Sequence, residues 1–267
     1  MPDSAASQEP VLLEETTDGV RILTLNQPAK KNALSADLVQ ALIAGFEAAG
    51  ADDDVRVVGI TGAGDAFCSG ADLKERRPAG SAARPSAEDQ VVRLVSGIRV
   101  DCEKPVIAGI NGIAIGAGLA LAMCADMRVA SSRARLHPGY ARAGSSPDCG
   151  LSWTLPQAIG HERAMRFLLD PQKMDAEAAL QLGLVGEVAP AEEFEAVFLA
   201  RCKRIAEVAP LAATQTKRLV TRSGLLAGLE DHLRDELALA KKALRSEDGR
   251  EAVRAIFEKR KPVFKGR

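Results

Sequence analysis

The sequence predicts an α/β fold built around a sheet that is at least partly parallel. Two apolar runs, 55–61 and 106–110, have the length of buried strands, and each is followed by a glycine-containing turn. Segments with helical periodicity alternate with such runs, an order that is typical of helices packed against a parallel sheet. From Leu151 onward almost every segment is predicted to be helical, and 267 residues suffice to bury a large core.

The first predicted elements are a β-hairpin and a helix. The segments 11–15 and 20–25 have strand character, and Thr17-Asp18-Gly19 between them is a turn sequence. Ser35 can cap the following helix, because a serine hydroxyl accepts a hydrogen bond from a free amide of the first turn. The apolar face of that helix consists of Leu38, Leu42, Phe46 and Ala49.

The middle of the chain contributes the central strand and the helix after it. Strand 106–110 runs into Asn111-Gly112, and 119–124 is predicted to be a buried helix, followed by a strand at 127–130. The stretch 75–88 is rich in proline, glycine and serine, so we expect a mobile loop bordering a ligand cleft. The helix after this loop has an apolar face of Val91, Val92, Val95 and Ile98.

The C-terminal half is predicted to be a set of helices. Asp175 can cap one that Gly183 stops. The other predicted helices there cover residues 151–159, 191–209, 211–222, 225–245 and 249–260. We therefore expect a disordered leader at 1–10, a core at 11–205 and a C-terminal helical region at 206–267.

Two turns can place backbone amides at one point. Gly116-Ala117-Gly118 follows the central strand and opens a helix, and Gly70-Ala71 follows the strand 55–61 and its turn. A strand that enters a glycine-rich turn and then a helix points unpaired N–H groups at whatever binds there. Two such donors suit an anion, a phosphate or a developing oxyanion.

The two segments also resemble a known family. Phe67-Cys68-Ser69-Gly70-Ala71-Asp72-Leu73-Lys74 and Asn111-Gly112-Ile113-Ala114-Ile115-Gly116-Ala117-Gly118 are similar to the signature segments of the crotonase (enoyl-CoA hydratase/isomerase) superfamily. The resemblance runs from Asn26 to Pro262. It implies a crotonase-like spiral of β-β-α repeats, with a helical C-terminal region that forms trimers or dimers of trimers.

The resemblance implies an acyl-CoA site. By the match, the amides of Ala71 and Ala117 hold the thioester oxygen, with Gly116 forming the turn. The segment from Ala71 through Asp72, Leu73 and Lys74 would meet the adenine end of CoA. Lys30 and its neighbour Lys31 match a loop near the CoA phosphates, although two solvated surface lysines are an equal alternative. No separate cofactor is implied, because CoA is part of the substrate.

The end of the chain resembles a family tail that closes over the nucleotide, in some members from a neighbouring subunit. By that match Lys259 is the candidate cation for the nucleotide. The family aromatic residue falls on Ile256, so Phe257, one position later, is the candidate aromatic contact.

The chain departs from the family hydratases at both catalytic glutamates. The resemblance implies that two glutamates hold a water and move its proton, and these positions are Ala120 and Tyr140 here. Neither residue carries a carboxylate, so hydration by that route is unsupported. Tyr140 fills the second position and could contact substrate or water, or simply pack in the core.

One carboxylate remains in the region, Asp148 of the motif Pro147-Asp148-Cys149-Gly150. It falls where the resemblance places a catalytic aspartate of some isomerases and of the aryl-CoA dehalogenases. A single base suffices to move a double bond. We expect Asp148 to stay ionised at a helix start. The alternative is that Asp148 is a plain N-cap of the helix 151–159.

Other function classes find less support in the sequence. The nucleotide-binding pattern GxGxxG lacks its third glycine at Leu121, and no GxSxG elbow of a serine hydrolase occurs. Enoyl-CoA isomerisation by Asp148 is therefore the predicted function. The alternatives are an enoyl-CoA hydratase with an atypical site and a non-catalytic protein that binds acyl-CoA.

Composition limits compartment and partners. The net charge of -1 argues against nucleic-acid binding, and no stretch is apolar enough to predict a membrane span. Five cysteines without a CxxC pair, and a start without a signal-peptide pattern, favour a reducing cytoplasmic setting. The three histidines lack metal-ligand spacing, so we predict no metal. A run of leucines could supply the apolar surface for trimer packing, or could equally pack within one subunit: Leu225, Leu226, Leu229, Leu233, Leu237 and Leu239.

Overall fold

Two β-sheets form the frame of the fold. The computed structural model describes residues 9–72, 86–222, 229–260 and 262–263, so the predicted leader and most of the predicted loop 75–88 lie outside the described residues. The strands are β1 (Leu12–Thr17), β2 (Val20–Leu25), β3 (Val57–Gly62), β4 (Ala66–Cys68), β5 (Val106–Ile110), β6 (Ile113–Ile115), β7 (Met127–Ser131), β8 (Arg135–His137), β9 (Met174–Asp175) and β10 (Glu187–Ala189).

Helices cover the sheets. They are α1 (Ala36–Ala51), α2 (Ala87–Ser96), α3 (Ala117–Cys124), α4 (Leu151–Ile159), α5 (His161–Leu169), α6 (Ala176–Leu182), α7 (Phe194–Ala206), α8 (Pro210–Arg222), α9 (Leu229–Arg245) and α10 (Glu247–Phe257). Short 3-10 turns lie at Pro28–Lys30 and Ala141–Ala143, and a π-helical turn at Gly97–Asp101 continues α2. None of the helices in the described part of the chain has the length and apolar character needed to cross a membrane.

The larger sheet has the strand order β1-β2-β3-β5-β7-β10. Only β1 and β2 pair antiparallel, and the other neighbours are parallel, as predicted. The smaller sheet, β4-β6-β8-β9, is parallel except for its last pair. The chain crosses from the first sheet to the second between β3 and β4, where Gly64 lies in the turn, and between β5 and β6, where Gly112 lies in the turn. These two crossings lead into the two candidate site segments.

The predicted local signals are present at several element ends. Asp18 and Gly19 both have positive φ, at 53° and 76°, as a two-residue hairpin turn requires. Ser35 Oγ accepts the Leu38 amide at 3.2 Å, and Asp175 Oδ1 accepts the Ala178 amide at 2.9 Å. The apolar face predicted for α1 is buried.

A buried lysine joins the C-terminal helices to the core. Lys217 on α8 is 7% exposed, and its ammonium donates to the carbonyls of Ile98 and Lys104 at 2.8 and 2.9 Å. The same nitrogen lies 3.0 Å from Asp126 Oδ2, which also accepts the Val106 amide at 2.8 Å. Its three acceptors match the three donors of an ammonium group, so the buried charge is fully satisfied.

The predicted leucine run lies on α9 and just before it. Leu229 and Leu233 are 4% and 0% exposed and belong to the hydrophobic core of their own chain. These two leucines therefore pack within one subunit. Leu237 is half-buried. Leu225 and Leu226 lie outside the described residues, as does the side chain of Leu239.

Candidate functional site

The two glycine-containing segments pack directly against each other. A Cβ atom added to Gly118 would lie 2.3 Å from the Cys68 carbonyl oxygen, a distance that no side chain tolerates. A Cβ atom on Gly70 would lie 2.8 Å from the Ile115 oxygen and 3.6 Å from the Ala117 nitrogen. Glycine at both positions is therefore what lets the two backbones approach.

The local hydrogen bonds aim the Ala71 amide away from its bridge partner Leu34. The Gly70 carbonyl accepts the Leu34 amide at 2.8 Å, and the Asp72 amide donates to the Leu34 carbonyl at 3.2 Å. Ala71 lies between these two bonds in a parallel bridge, so its own N–H points to the opposite side. Ala71 is exposed, and no described residue accepts this amide.

The Ala117 amide is free for a different reason. Gly116 has φ +54° and ψ -123°, a conformation suited to glycine, and Ala117 is the first residue of α3. The amides of a first helical turn have no partner within the helix. Within the described part of the chain the Ala117 amide has no acceptor, while the Gly116 amide donates to the His137 carbonyl at 3.0 Å.

That bond brings the segment after β8 to the same place. Gly139 lies so close that an added Cβ would be 3.5 Å from the Gly116 nitrogen. Tyr140 follows and is 7% exposed. Its hydroxyl lies 2.7 Å from Asp148 Oδ1 and donates to it. The structure thus links the Gly116 turn, through Tyr140, to the one candidate base.

The environment of Asp148 differs from the predicted one. Burial raises the pKa of the Asp148 carboxyl, and hydrogen bonds from the Tyr140 hydroxyl and the Cys149 thiol oppose this rise. Desolvation is the largest influence on this pKa, so its net shift is upward, opposite to the shift that a helix start alone would cause. The N-cap residue of α4 is Gly150, with φ +76°, so Asp148 does not occupy the N-cap position.

Comparison with known proteins agrees with this geometry. A family model described as enoyl-CoA hydratase/isomerase matches residues 15–267. The chain belongs to the enoyl-CoA hydratase/isomerase family. A probable enoyl-CoA hydratase from Rhodobacter capsulatus is 36% identical over 95% of this chain and 97% of that protein. A second relative of that name, from Mycobacterium leprae, is 35% identical over 95% of this chain and 89% of its own length.

Solved structures of the family share the fold. An enoyl-CoA hydratase/isomerase from Pseudoalteromonas atlantica superposes with a TM-score of 0.87 and 33% identity, over 96% of this chain and 100% of that one. A monofunctional enoyl-CoA isomerase from M. smegmatis superposes with a TM-score of 0.69 and 31% identity, over 84% of this chain and 98% of that one. The predicted crotonase-like α/β fold is confirmed.

Against this family background, the two positions matched to hydratase glutamates are occupied by uncharged side chains. Ala120 is fully buried on α3, and Tyr140 is nearly so. Cys149 lies beside Asp148 with φ +51°, and its thiol donates to the carboxylate. A non-glycine residue in the left-handed region next to the half-buried candidate base is a structural signal that the sequence does not show.

The candidate CoA cations are paired with acids. Lys30 lies 3.2 Å from Asp72 Oδ2, and Lys31 lies 2.6 Å from Asp65 Oδ1. The Lys30 side chain is 55% exposed, whereas that of Asp72 is only 7% exposed, so the lysine covers the acid from the solvent side. Leu73 and Lys74, predicted to meet the adenine, lie outside the described residues.

Of the two C-terminal candidates, Lys259 lies at a cavity and Phe257 at the end of a helix. Lys259 has φ +53° and lines a cavity of about 550 Å³ together with Arg142, Pro171 and Ile256. Ala71 and Ala117 are not among the described residues that line this cavity. Phe257 is 61% exposed at the end of α10. Phe257 is likewise not among the described residues that line this cavity.

Proposed function

We propose that this protein is an acyl-CoA enzyme that moves the double bond of an enoyl-CoA, with Asp148 as its single base. The observation that carries the proposal is the half-buried Asp148 carboxylate, held at 2.7 Å by Tyr140 beside the Gly116 turn. The proposal also uses the family membership, since the members are named for enoyl-CoA chemistry. Ala120 and Tyr140 supply no second carboxylate with which to activate water.

The proposed reaction begins at the thioester. Its carbonyl oxygen accepts the amides of Ala71 and Ala117, which stabilise the negative charge that develops there. Asp148 takes a proton from the carbon next to the thioester of a 3-enoyl-CoA, and the C–H electron pair enters the conjugated dienolate. Asp148 then returns that proton to the γ carbon, which leaves a 2-enoyl-CoA and regenerates the carboxylate. Atoms and electrons balance without a cofactor.

The raised pKa of Asp148 suits this role. A carboxylate with a higher pKa is a stronger base, and partial burial removes the water that would otherwise weaken it. One amide donor of an oxyanion hole typically contributes about a hundred- to a thousandfold in rate. The proposed oxyanion donors are main-chain amides, so replacing the Asp148 side chain leaves them in place. A variant at Asp148 is therefore expected to lose proton transfer while it keeps substrate binding.

The test is the variant Asp148→Asn. Its rate of 3-enoyl-CoA isomerisation should fall by about a hundred- to ten-thousandfold, because general-base catalysis is lost. Isothermal titration with acyl-CoA thioesters should give nearly the parent affinity. An Asp148→Asn variant that isomerises at the parent rate, or a parent enzyme that hydrates crotonyl-CoA efficiently, would contradict the proposal.

Two further functions are separated by the same assays. An atypical hydratase is favoured by the names of the relatives from Rhodobacter capsulatus and Mycobacterium leprae. If this protein is such a hydratase, the purified protein should hydrate crotonyl-CoA. A non-catalytic acyl-CoA-binding protein predicts titration heat without turnover of any enoyl-CoA. Absence of binding across the thioester panel would exclude all three functions.

A further inference from the structure

The hydrogen bond between Tyr140 and Asp148 joins two well-fixed pieces of the chain. The carbonyl of Tyr140 accepts the amides of Ala143 and Ser145 at 2.9 and 3.0 Å, so its main chain is held in a tight turn. Its side chain is nearly buried, which limits the rotation of the ring. The hydroxyl that reaches Asp148 Oδ1 is therefore presented from a rigid support.

We propose that Tyr140 is a positioning residue, whose hydroxyl holds Oδ1 of Asp148 and so fixes the orientation in which the carboxylate meets the substrate carbon. This inference rests on the proposed role of Asp148 as the base. Tyr140 itself exchanges no proton with the substrate in this scheme. Its contribution is to fix the direction from which the base approaches, which matters because small displacements of a reacting group cost rate.

The negative charge of Asp148 explains why a neutral tyrosine suits position 140. A glutamate at position 140, within hydrogen-bond distance of Asp148, would put two carboxylates at one point. Two such groups cannot both stay ionised, and one would hold a proton. A neutral tyrosine donates a hydrogen bond instead and leaves the single carboxylate free to act as base. Ala120 and Tyr140 are thus consistent with a site built for one carboxylate.

The hydrogen bond also acts on proton affinity. A donor to the ionised form of a carboxylate lowers its pKa, and here it opposes the rise that burial causes. Removing the hydroxyl should raise the Asp148 pKa further, and strengthening the donor should lower it. If Tyr140 had only a structural role, changing it would alter the stability of the protein. Removing and strengthening its hydroxyl donor would then not shift the Asp148 pKa in opposite directions.

The chain offers an unusually clean test, because Tyr140 is its only tyrosine. Biosynthetic replacement of tyrosine by a ring-fluorinated tyrosine therefore changes this position alone and makes the phenol a stronger donor. The acid limb of kcat/KM should shift to lower pH with fluorotyrosine and to higher pH in Tyr140→Phe. The rate of Tyr140→Phe at its optimum should fall between about tenfold and a hundredfold.

A second readout needs no catalysis. The ultraviolet absorbance of tyrosinate reports the phenol pKa of this one residue. We expect that pKa above the ordinary value of about 10 in the parent, because the phenolate would face the Asp148 carboxylate, and closer to it in Asp148→Asn. The matched control is Thr154→Val, which removes a buried hydroxyl of α4 that bonds the Gly150 carbonyl at 3.1 Å. Thr154→Val should change neither the acid limb of kcat/KM nor the tyrosinate titration.

The outcomes distinguish the two proposals. If Asp148→Asn isomerises at the parent rate, the proposed function fails and Tyr140 has no base to position. If Asp148→Asn is inactive but the acid limb stays in place in both Tyr140→Phe and the fluorotyrosine enzyme, only the positioning role is overturned. Equal tyrosinate titrations in the parent and in Asp148→Asn would overturn it as well, because the hydrogen bond would not exist in solution.

Discussion

Glycine 118 shows how one missing side chain shapes the candidate site. Its Cα faces the Cys68 carbonyl so closely that an added Cβ would lie 2.3 Å from the oxygen. The two segments held together there carry the amides of Ala71 and Ala117. Backbone atoms cannot move aside as the end of a long side chain can, so any substitution must separate the segments.

Gly118→Ala is therefore expected to lower both stability and turnover. Overpacking of this kind costs about 1–3 kcal/mol, and displacement of the segments would disturb the proposed pair of amide donors. Thermal unfolding and the isomerisation rate are the measurements. The matched control is Gly97→Ala, where an added Cβ meets no atom within 4 Å. Equal melting temperatures for Gly118→Ala and the parent would show that the contact is looser than described.

Asp148 makes a pH-dependent prediction about stability. Its pKa is raised in the folded protein above the unfolded value of about 3.9, so the folded state binds the proton more tightly. Stability contributed by this group is greatest at low pH and is lost as the pH rises through the folded pKa. Asp148→Asn should thus gain stability relative to the parent as the pH rises through that window, measured by urea unfolding over a pH series.

The same series checks that Asp148 is not a helix cap, as the Gly150 N-cap of α4 indicates. Loss of an N-cap costs about 0.5–2 kcal/mol, so a capping aspartate would make Asp148→Asn less stable than the parent near neutral pH. The sequence singles out Asp148 as the candidate carboxylate of its motif. The direction of its pKa shift could not be predicted, because burial is set by how distant segments pack.

Long elements and their caps were predictable, whereas the short strands were not. The hairpin, the central strand and the caps at Ser35 and Asp175 depend on residues near in sequence. The strands β4, β6 and β8 have three residues each, too few to show an alternating pattern. They exist because they pair with one another, and pairing between distant segments has no local signature. Helix α3 also begins at Ala117, two residues before the predicted start.

The contacts of Lys217 on α8 are expected to contribute strongly to the stability of the fold. Lys217→Met would leave the Asp126 carboxylate without its cation and remove the donor from two buried carbonyls. Breaking one side of such a pair typically costs about 3–5 kcal/mol. Chemical denaturation measures the loss. Arg218→Met is the control, because the Arg218–Glu103 pair on the same helix is solvent-exposed, at 38% and 46%, and such pairs contribute about 1 kcal/mol or less. Similar losses in both variants would contradict the assigned role of Lys217.

The whole molecule leaves an apolar surface on α8. Leu211, Leu219 and Val220 are 72%, 66% and 66% exposed, whereas Leu229 and Leu233 of α9 are covered by their own chain. Clusters of exposed apolar residues commonly mark protein interfaces. The predicted trimer or dimer of trimers is therefore expected to use α8 rather than the buried leucines of α9.

Leu219→Glu is expected to reduce the assembly mass measured by light scattering, because a charge would be buried at the interface. The control is Leu169→Glu on α5, where the leucine is likewise exposed, at 69%, but lies on another helix. A parent protein that is monomeric at micromolar concentration would reject the assembly itself. A Leu169→Glu variant that dissociates while Leu219→Glu does not would place the interface elsewhere.

The lysine at position 217 also has a consequence for how the chain is made. On the ribosome, strand β5 and Asp126 emerge long before the helix that supplies their cation. Until α8 is synthesised, the Asp126 carboxylate and the carbonyls of Ile98 and Lys104 lack the ammonium that satisfies them. A fragment that ends at residue 205, the predicted limit of the core, would lack the Lys217 ammonium permanently. Nascent chains of that length are thus expected to be protease-sensitive and to depend on chaperones.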